Sequence, residues 1–244
     1  MWNKIRNRCL VHFVLFLAVF FFAVGAGGAA ERIPAAQKEQ QVHTLYWKAR
    51  LRKNIKVKGK KIKRGSIVTV IQRKYYSSKK HTVRYKGLVF KLSSSAISYI
   101  CDMVSVSSQG DYSKKTKEDF VNVKKKAKSK TKWLIWVSLD KQRVNVFHRS
   151  KGKWELEHVY KCSTGKISTP TPTGWYKIDF KNPNVKGCRY YTEVCGSGMH
   201  QWPGAMNESI MGKHTVSKGC IRLYEKNAIW IYKHVPTKST VIIY

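Results

Sequence analysis

Short runs of β-branched and aromatic residues, separated by basic or glycine-containing turns, constrain the fold of this chain most strongly. Such runs predict strands, and they fill two stretches, 43–101 and 133–244. Residues 67–71 and 133–139 are typical examples. Helical spacing of apolar residues is clear at Glu225–His234, shortly before a proline. The pattern therefore predicts a mostly β protein with one or two short helices.

Residues 1–30 have the pattern of a secretory signal peptide. Basic residues precede an apolar run at 10–24, which only His12 interrupts, and small residues fill 25–30. An uncleaved membrane anchor is the alternative, because the extended apolar run reaches about 20 residues, enough to span a bilayer. Both interpretations place the chain from about residue 31 onward outside the cytoplasm, where it is extracellular, associated with the cell wall or anchored to the membrane.

The charge of the chain indicates an anionic partner. It has 48 Lys and Arg against 13 Asp and Glu, a formal net charge of +35. A surface this basic suits nucleic acid, anionic lipid or an acidic cell-wall polymer. The predicted export and the absence of a nucleic-acid-binding motif argue against nucleic acid. Anionic lipid and an acidic wall polymer are therefore the candidate partners that remain.

Two segments in the first β-rich stretch resemble parts of a bacterial SH3-like domain. They are KIKRGSIVTVI at 61–71, with a turn at Gly65, and TVRYKGLVFKLSSSAI at 82–97, with a turn at Gly87. The resemblance implies a small SH3-like β-barrel over 43–101. Such modules either bind wall peptides or pack beside an enzyme as a spacer, and the residues favour neither role.

The segment 104–132 is predicted to be a basic linker. It has nine lysines between residues 114 and 132 against Glu118 and Asp119, and a helical turn is expected around 117–123. A run of like charge is usually solvated. It also attracts anionic wall polymer, an effect that weakens with added salt.

The cysteines fit an exported chain with one free thiol. Six are present, and Cys9 lies in the leader, which leaves an odd number. Their spacing gives no zinc site, because no C-x₂₋₄-C pair occurs. Disulfides among Cys101, Cys162, Cys188 and Cys195 are one interpretation, and buried thiols are the other.

A thiol and an imidazole twenty positions apart suggest nucleophilic chemistry. Cys220 lies in the run SKGCIRL and His200 lies upstream, and a nearby imidazole is the usual means of generating a thiolate at neutral pH. Gly219 lets the backbone approach a reacting group closely. Arg222, on the same side of an extended segment as Cys220, can grip a carboxylate with two hydrogen bonds. Taken alone, such a pair is more often a pair of packing residues.

The run SKGCIRL, the upstream histidine and the stretch CSTG…STPTPTG at 162–174 resemble the catalytic domain of the L,D-transpeptidases. The resemblance covers 133–244 and implies a β-sandwich domain without metal or cofactor. It assigns Cys220 as nucleophile and His200 as general base. The other residues that it assigns are Ser217, Gly219 and Gln201 as support, the Gly219 and Cys220 amides as oxyanion donors, and Arg222 and Lys218 as substrate-binding residues.

Two positions depart from the family pattern. Gln201 stands where the family often has Gly or Ser, and its backbone carbonyl is expected to orient the imidazole of His200. Lys218 stands where many members have a second histidine, and its charge is expected to lower the pKa of the neighbouring Cys220 thiol.

The resemblance implies a transferase of cell-wall biogenesis that acts on peptidoglycan stem peptides and works as a monomer. The Cys220 thiolate would form a thioester with a tetrapeptide stem and release D-Ala, and an acceptor amine would resolve it to a 3→3 cross-link. An L,D-carboxypeptidase that uses water on the same stems is one alternative. A non-catalytic wall-binding protein is another.

The remaining candidates have plain structural interpretations. His214 is expected to be exposed rather than to support the site. The aromatic residues Tyr190, Tyr191 and Trp202 are either core residues or part of a substrate groove. Thr171 and Thr173 are expected to be simple turn residues.

Overall fold

The computed structural model describes residues 41–42, 47–73, 79–100, 110–166 and 169–244. The expected leader 1–30 lies outside these residues, as do Cys9 and Cys101. Within the described ranges, no helix is long and apolar enough to cross a membrane.

The first β-rich stretch forms a five-stranded antiparallel sheet, here called the N-terminal sheet, with strand order β6-β5-β4-β1-β7. A separate hairpin is formed by β2 and β3. The strands are β1 Trp47–Leu51, β2 Ile55–Val57, β3 Lys60–Ile62, β4 Ile67–Arg73, β5 Lys80–Tyr85, β6 Leu88–Ser93 and β7 Ile97–Ile100. Alternation is strict in β1, where Trp47, Ala49 and Leu51 are buried and the intervening basic residues are exposed. The SH3-like assignment of this sheet stays a prediction.

The described part of the expected linker is folded onto the second β-rich stretch. Helix α1, Lys114–Asp119, continues into a π-helical turn at Phe120–Lys124. The Phe120 ring is 4.2 Å from the Trp136 ring, centroid to centroid, and Phe120 is 3% exposed. Lys117 is also buried, with its Nζ 2.5 Å from Asp111 Oδ2. Residues 110–132 are therefore a docked segment and not a solvated linker, because their few apolar residues have partners on a distant strand.

The second stretch is a barrel of eight strands. Its elements are β8 Trp133–Ser138, β9 Arg143–Ser150, β10 Lys153–Ser163, β11 Gly174–Val185, β12 Cys188–Val194, β13 Ser197–Gln201, β14 Ile221–Leu223, helix α2 Glu225–His234 and β15 Thr240–Ile243. One half of the barrel is β10-β9-β8-β15-β11 and the other is β11-β12-β13-β14-β10. The two long strands β10 and β11 belong to both halves, so they join the two layers of the expected sandwich along both sides. The mostly β class with short helices is confirmed.

The interior of this barrel is filled by aliphatic side chains from both halves. Ile135 and Val146 come from one half, and Ile221 and Leu223 come from the other. Helix α2 buries Ile231 against them. Because β14 alternates, its two aliphatic residues point inward and the residue between them points out of the core. This alternation determines which motif residues remain available for chemistry.

Replacing Phe120 with Ala tests whether the docked segment is part of the fold. Removing a buried aromatic ring costs about 3–5 kcal/mol, so the thermal midpoint should fall by roughly 6 °C or more in a chain of this size. Val123→Ala, at a position 63% exposed in the same segment, is the matched control and should change the midpoint little. Equal midpoints for both variants in thermal unfolding would mean that the segment is a free linker.

Candidate active site

Parallel pairing of two short strands brings the imidazole and the thiol together. In the register of β13 and β14, Met199 lies opposite Ile221 and His200 lies opposite Arg222. Extending that register by one residue places Cys220 beside the strand that carries His200. Residues that are twenty positions apart in sequence thus become neighbours, as the motif predicts.

Three hydrogen bonds surround the Cys220 sulfur. The His200 ring, the Ser197 hydroxyl at 3.4 Å and the backbone amide of Gly198 all contact it. Burial alone raises the pKa of the thiol, but the hydrogen bonds from His200, Ser197 and Gly198 and the charge of His200 outweigh that effect and lower the pKa to about 7. Residue Cys220 is half-buried. With a pKa of about 7, a large fraction of Cys220 is thiolate at neutral pH.

The tautomer of His200 follows from its other hydrogen bond. Its Nδ1 lies 2.6 Å from the backbone carbonyl oxygen of Gln201. Because a carbonyl can only accept, Nδ1 carries the proton and Nε2 remains free to face the thiol. The side chain of Gln201 is occupied elsewhere, since its Oε1 accepts from the Arg189 amide at 2.8 Å. The contribution of Gln201 is thus its backbone carbonyl.

A tyrosine ring lies beside the imidazole. Tyr191 is stacked near His200, with ring centroids 6.1 Å apart and planes 19° from parallel. Gly198 lies against the same ring, and a Cβ added there would be 2.3 Å from Tyr191 ring atoms. Tyr191 is buried, and its pKa is raised by burial and by the nearby Cys220. It therefore stays neutral and limits the room in which the imidazole can move.

Ser217 and Gly219 shape the chain in front of the nucleophile. The Ser217 hydroxyl donates to the Cys220 carbonyl oxygen at 2.5 Å and accepts from the Gly219 amide at 3.0 Å. Gly219 has φ +118°, a conformation that L side chains rarely adopt. This geometry corrects one expectation. The Gly219 amide is bonded to Ser217 and is not available to an oxyanion, which leaves the Cys220 amide as the candidate donor.

Arg222 lies on the same side of β14 as Cys220. Its guanidinium carbon is 5.0 Å from the centre of the Trp202 ring. Its Nε is buried, and no hydrogen-bond partner for it occurs in the described part of the chain. A buried guanidinium nitrogen without a partner is costly, so this group is suited to an anionic ligand.

The structure does not support the electrostatic role expected of Lys218. Its side chain is exposed, and the groups that lower the pKa of Cys220 are His200, Ser197 and the Gly198 amide instead. His214 is exposed, as expected.

The other cysteines differ from Cys220 in environment. None of the four that the structure describes forms a disulfide. Cys162 and Cys195 are buried and Cys188 is half-buried, and burial raises the pKa of Cys162 and of Cys188. The possible disulfides are therefore absent among the described cysteines. The described residues also contain no cluster of three or more His, Cys, Asp or Glu that could hold a metal.

Comparison with known protein families finds a match for the second β-rich stretch. Residues 132–243 match the family model YkuD, described as the L,D-transpeptidase catalytic domain. The match covers a little less than half of the chain. The motif, the barrel and the thiol–imidazole pair all lie within the matched range.

The chain is also similar to two curated proteins, each called putative L,D-transpeptidase YkuD. The Bacillus licheniformis protein is 32% identical over 113 residues, which are 45% of this chain and 64% of that protein. The Bacillus subtilis protein is 36% identical over 89 residues, 35% of this chain and 52% of that protein. The chain thus spans less than two thirds of either relative. A solved L,D-transpeptidase from Mycobacterium tuberculosis is 24% identical, with TM-score 0.41, over 46% of this chain and 57% of that one.

Two neighbours of the nucleophile were missed by the sequence argument, and a third, Tyr191, was named there only as a core or groove residue. Ser197 and Gly198 contact the sulfur, and Tyr191 flanks the imidazole. All three come from β12 and β13, and only the strand register reveals which of their neighbours they face. The glycine two positions before His200 is the one local signal, since it makes room for the Tyr191 ring.

Selective alkylation tests the ionisation of Cys220 in this domain. Near pH 7 about half of Cys220 is thiolate, whereas a thiol with a pKa of about 9 is roughly 1% ionised. After allowance for the lower nucleophilicity of the more acidic thiolate, Cys220 should react with iodoacetamide roughly fivefold faster than Cys188 or more. Peptide mapping by mass spectrometry gives both rates. Equal rates, or faster modification of Cys188, would contradict the assignment.

Proposed function

We propose that this chain is an exported, cysteine-dependent peptidoglycan L,D-transpeptidase. The single observation that carries the proposal is the half-buried Cys220 thiol, whose pKa is lowered to about 7 by contact with His200, Ser197 and the Gly198 amide. The catalytic unit is the domain over 133–244, and its substrates are peptidoglycan stem peptides.

In the first half-reaction the Cys220 thiolate attacks the carbonyl carbon of the third residue of a tetrapeptide stem. His200 holds the proton that the thiol has lost. The bond between the third residue and the terminal D-Ala then breaks, and the departing amine takes the proton from His200. The products of this step are free D-Ala and a thioester on Cys220.

In the second half-reaction an amine of a neighbouring stem attacks the thioester carbonyl. His200 accepts a proton from that amine, an amide bond forms and the Cys220 thiolate leaves. The result is a 3→3 cross-link between two stems. If water attacks instead, the product is a tripeptide stem and the enzyme is an L,D-carboxypeptidase. Exclusion of water from the acceptor side determines the ratio of the two products.

Both half-reactions pass through a negatively charged tetrahedral oxygen. The Cys220 amide is the proposed donor to it, because the Gly219 amide is bonded to Ser217. Arg222 is the proposed anchor for a carboxylate of the donor stem, supported by its unpartnered Nε and its place on the Cys220 side of β14. Lys218 is exposed and next to the nucleophile in sequence. Its proposed role is long-range electrostatic attraction of acidic substrate.

The basic charge of the chain supports a second interaction, with anionic polymers of the cell wall. A net charge of +35 attracts anionic wall polymers and so concentrates the enzyme near its substrate. A non-catalytic wall-binding protein would share this property. It would not need a thiol of lowered pKa beside an imidazole, and this pair favours the enzyme.

Product analysis tests the reaction. Purified tetrapeptide muropeptides incubated with the chain from residue 31 onward should give D-Ala and 3→3 dimers, detected by mass spectrometry. Cys220→Ala should abolish both products, because it removes the thiol that forms the thioester. Cys188→Ala is the matched control and should retain activity. Cross-links made by Cys220→Ala would refute the proposal, and tripeptides without dimers would establish the carboxypeptidase alternative.

Arg222→Lys tests recognition of the stem. The change keeps the positive charge but removes the two-pronged donor, so the KM for the donor stem should rise roughly tenfold while kcat changes less than about threefold. Lys213→Ala, which removes an exposed charge before the motif, controls for a general effect of charge. An unchanged KM for Arg222→Lys would show that Arg222 is not an anchor.

A further inference from the structure

A chain of hydrogen bonds leads from the N-terminal sheet to the peptide bond in front of Cys220. The indole Nε1 of Trp47, on strand β1, donates to the backbone carbonyl of Thr171 at 3.0 Å. The hydroxyl of the same threonine donates to the Gly219 carbonyl at 2.9 Å and accepts from the Gly165 amide at 2.8 Å. Trp47 is 7% exposed and Thr171 is fully buried. Thr171 is therefore more than the turn residue expected from the sequence.

The loop that carries Thr171 is also bonded to the motif at other points. The Ser217 amide donates to the Thr164 carbonyl at 3.1 Å, and the Lys166 amide donates to the Ser217 carbonyl at 2.9 Å. Close approach is required at Gly165, where an added Cβ would be 2.3 Å from the Thr169 carbonyl oxygen. The motif is thus hydrogen-bonded to the loop whose Thr171 carbonyl accepts from the Trp47 indole.

The Gly219 carbonyl and the Cys220 amide belong to the same planar unit. In a trans peptide these two groups point in opposite directions. By holding the Gly219 carbonyl, the Thr171 hydroxyl fixes the direction in which the Cys220 N–H points. That amide is the proposed donor to the oxyanion. A group that fixes the peptide plane therefore controls stabilisation of the transition state without touching the substrate.

We propose that Trp47 and Thr171 are positioning residues, and that the N-terminal sheet serves to hold the Cys220 amide in line with the oxyanion. This inference rests on the proposed function of Cys220 as nucleophile. It gives the N-terminal sheet a role besides targeting or spacing. Without the indole N–H, the buried Thr171 carbonyl has lost its donor, so the loop shifts and the Gly219–Cys220 peptide turns with it.

Two probes separate this role from a general loss of structure. Acylation of Cys220 by a carbapenem needs the oxyanion donor, whereas alkylation by iodoacetamide forms no tetrahedral oxyanion. Trp47→Phe should slow acylation about threefold or more and Thr171→Val roughly tenfold, with alkylation changed less than about twofold in each case. Thr171→Ser keeps the hydroxyl and should restore most of the acylation rate.

Trp154→Phe is the matched control. The Trp154 indole also donates to a backbone carbonyl, that of Ala127 at 2.8 Å, but on the face where the docked segment packs. This variant loses the same kind of bond and should leave the ratio of acylation to alkylation unchanged within about twofold. The inference is overturned if Trp47→Phe and Thr171→Val keep the wild-type ratio of acylation to alkylation. It is also overturned if Trp154→Phe lowers that ratio as much as Trp47→Phe does.

The amide resonance of Cys220 in ¹H–¹⁵N NMR distinguishes failure of the inference from failure of the proposed function. It should move in Trp47→Phe and Thr171→Val and stay in place in Trp154→Phe, whatever chemistry the site performs. If the wild-type protein resists acylation while the Cys220 resonance moves in these two variants, the proposed function is overturned and the positioning role is retained. An unmoved resonance in Trp47→Phe and Thr171→Val would overturn the positioning role.

Discussion

The contact between the Cys220 sulfur and the His200 ring depends on one feature of the backbone, the parallel pairing of β13 and β14. A parallel pair needs a long connection, and here that connection spans the residues between Gln201 and Ile221. β14 has only three residues, and both of its aliphatic side chains lie in the barrel core. Packing of that core therefore fixes the register, and the register places the thiol beside the imidazole.

Backbone groups orient much of the site around Cys220 and His200. The Gln201 carbonyl fixes the tautomer of His200, and the Gly198 amide contacts the sulfur. The Tyr191 ring beside the imidazole is buried, which raises its pKa and keeps it neutral. Backbone groups are held by the strands themselves and lose no rotamer freedom. The result is a thiol whose pKa is lowered although burial acts in the opposite direction.

Short-range sequence patterns predicted the helix and strands well. They could not predict features that depend on contacts between distant residues. The helix at Glu225–His234 and the strands on either side of the 139–142 turn follow from short-range periodicity. The docking of 110–132 does not, because nine lysines obscure Phe120, whose partner Trp136 lies on a distant strand. The motif indicated the nucleophile and base. It could not show that Ser217 occupies the Gly219 amide, since that depends on a turn with φ +118°.

Titration of the Cys220 thiol tests the central claim most directly. The ultraviolet absorbance of the thiolate, taken as the difference between the wild-type protein and Cys220→Ser, reports ionisation of this one group. The environment described here predicts a midpoint near pH 7, with the thiolate increasing as pH rises through it. A midpoint at the ordinary cysteine value of about 8.5 or above would contradict the account.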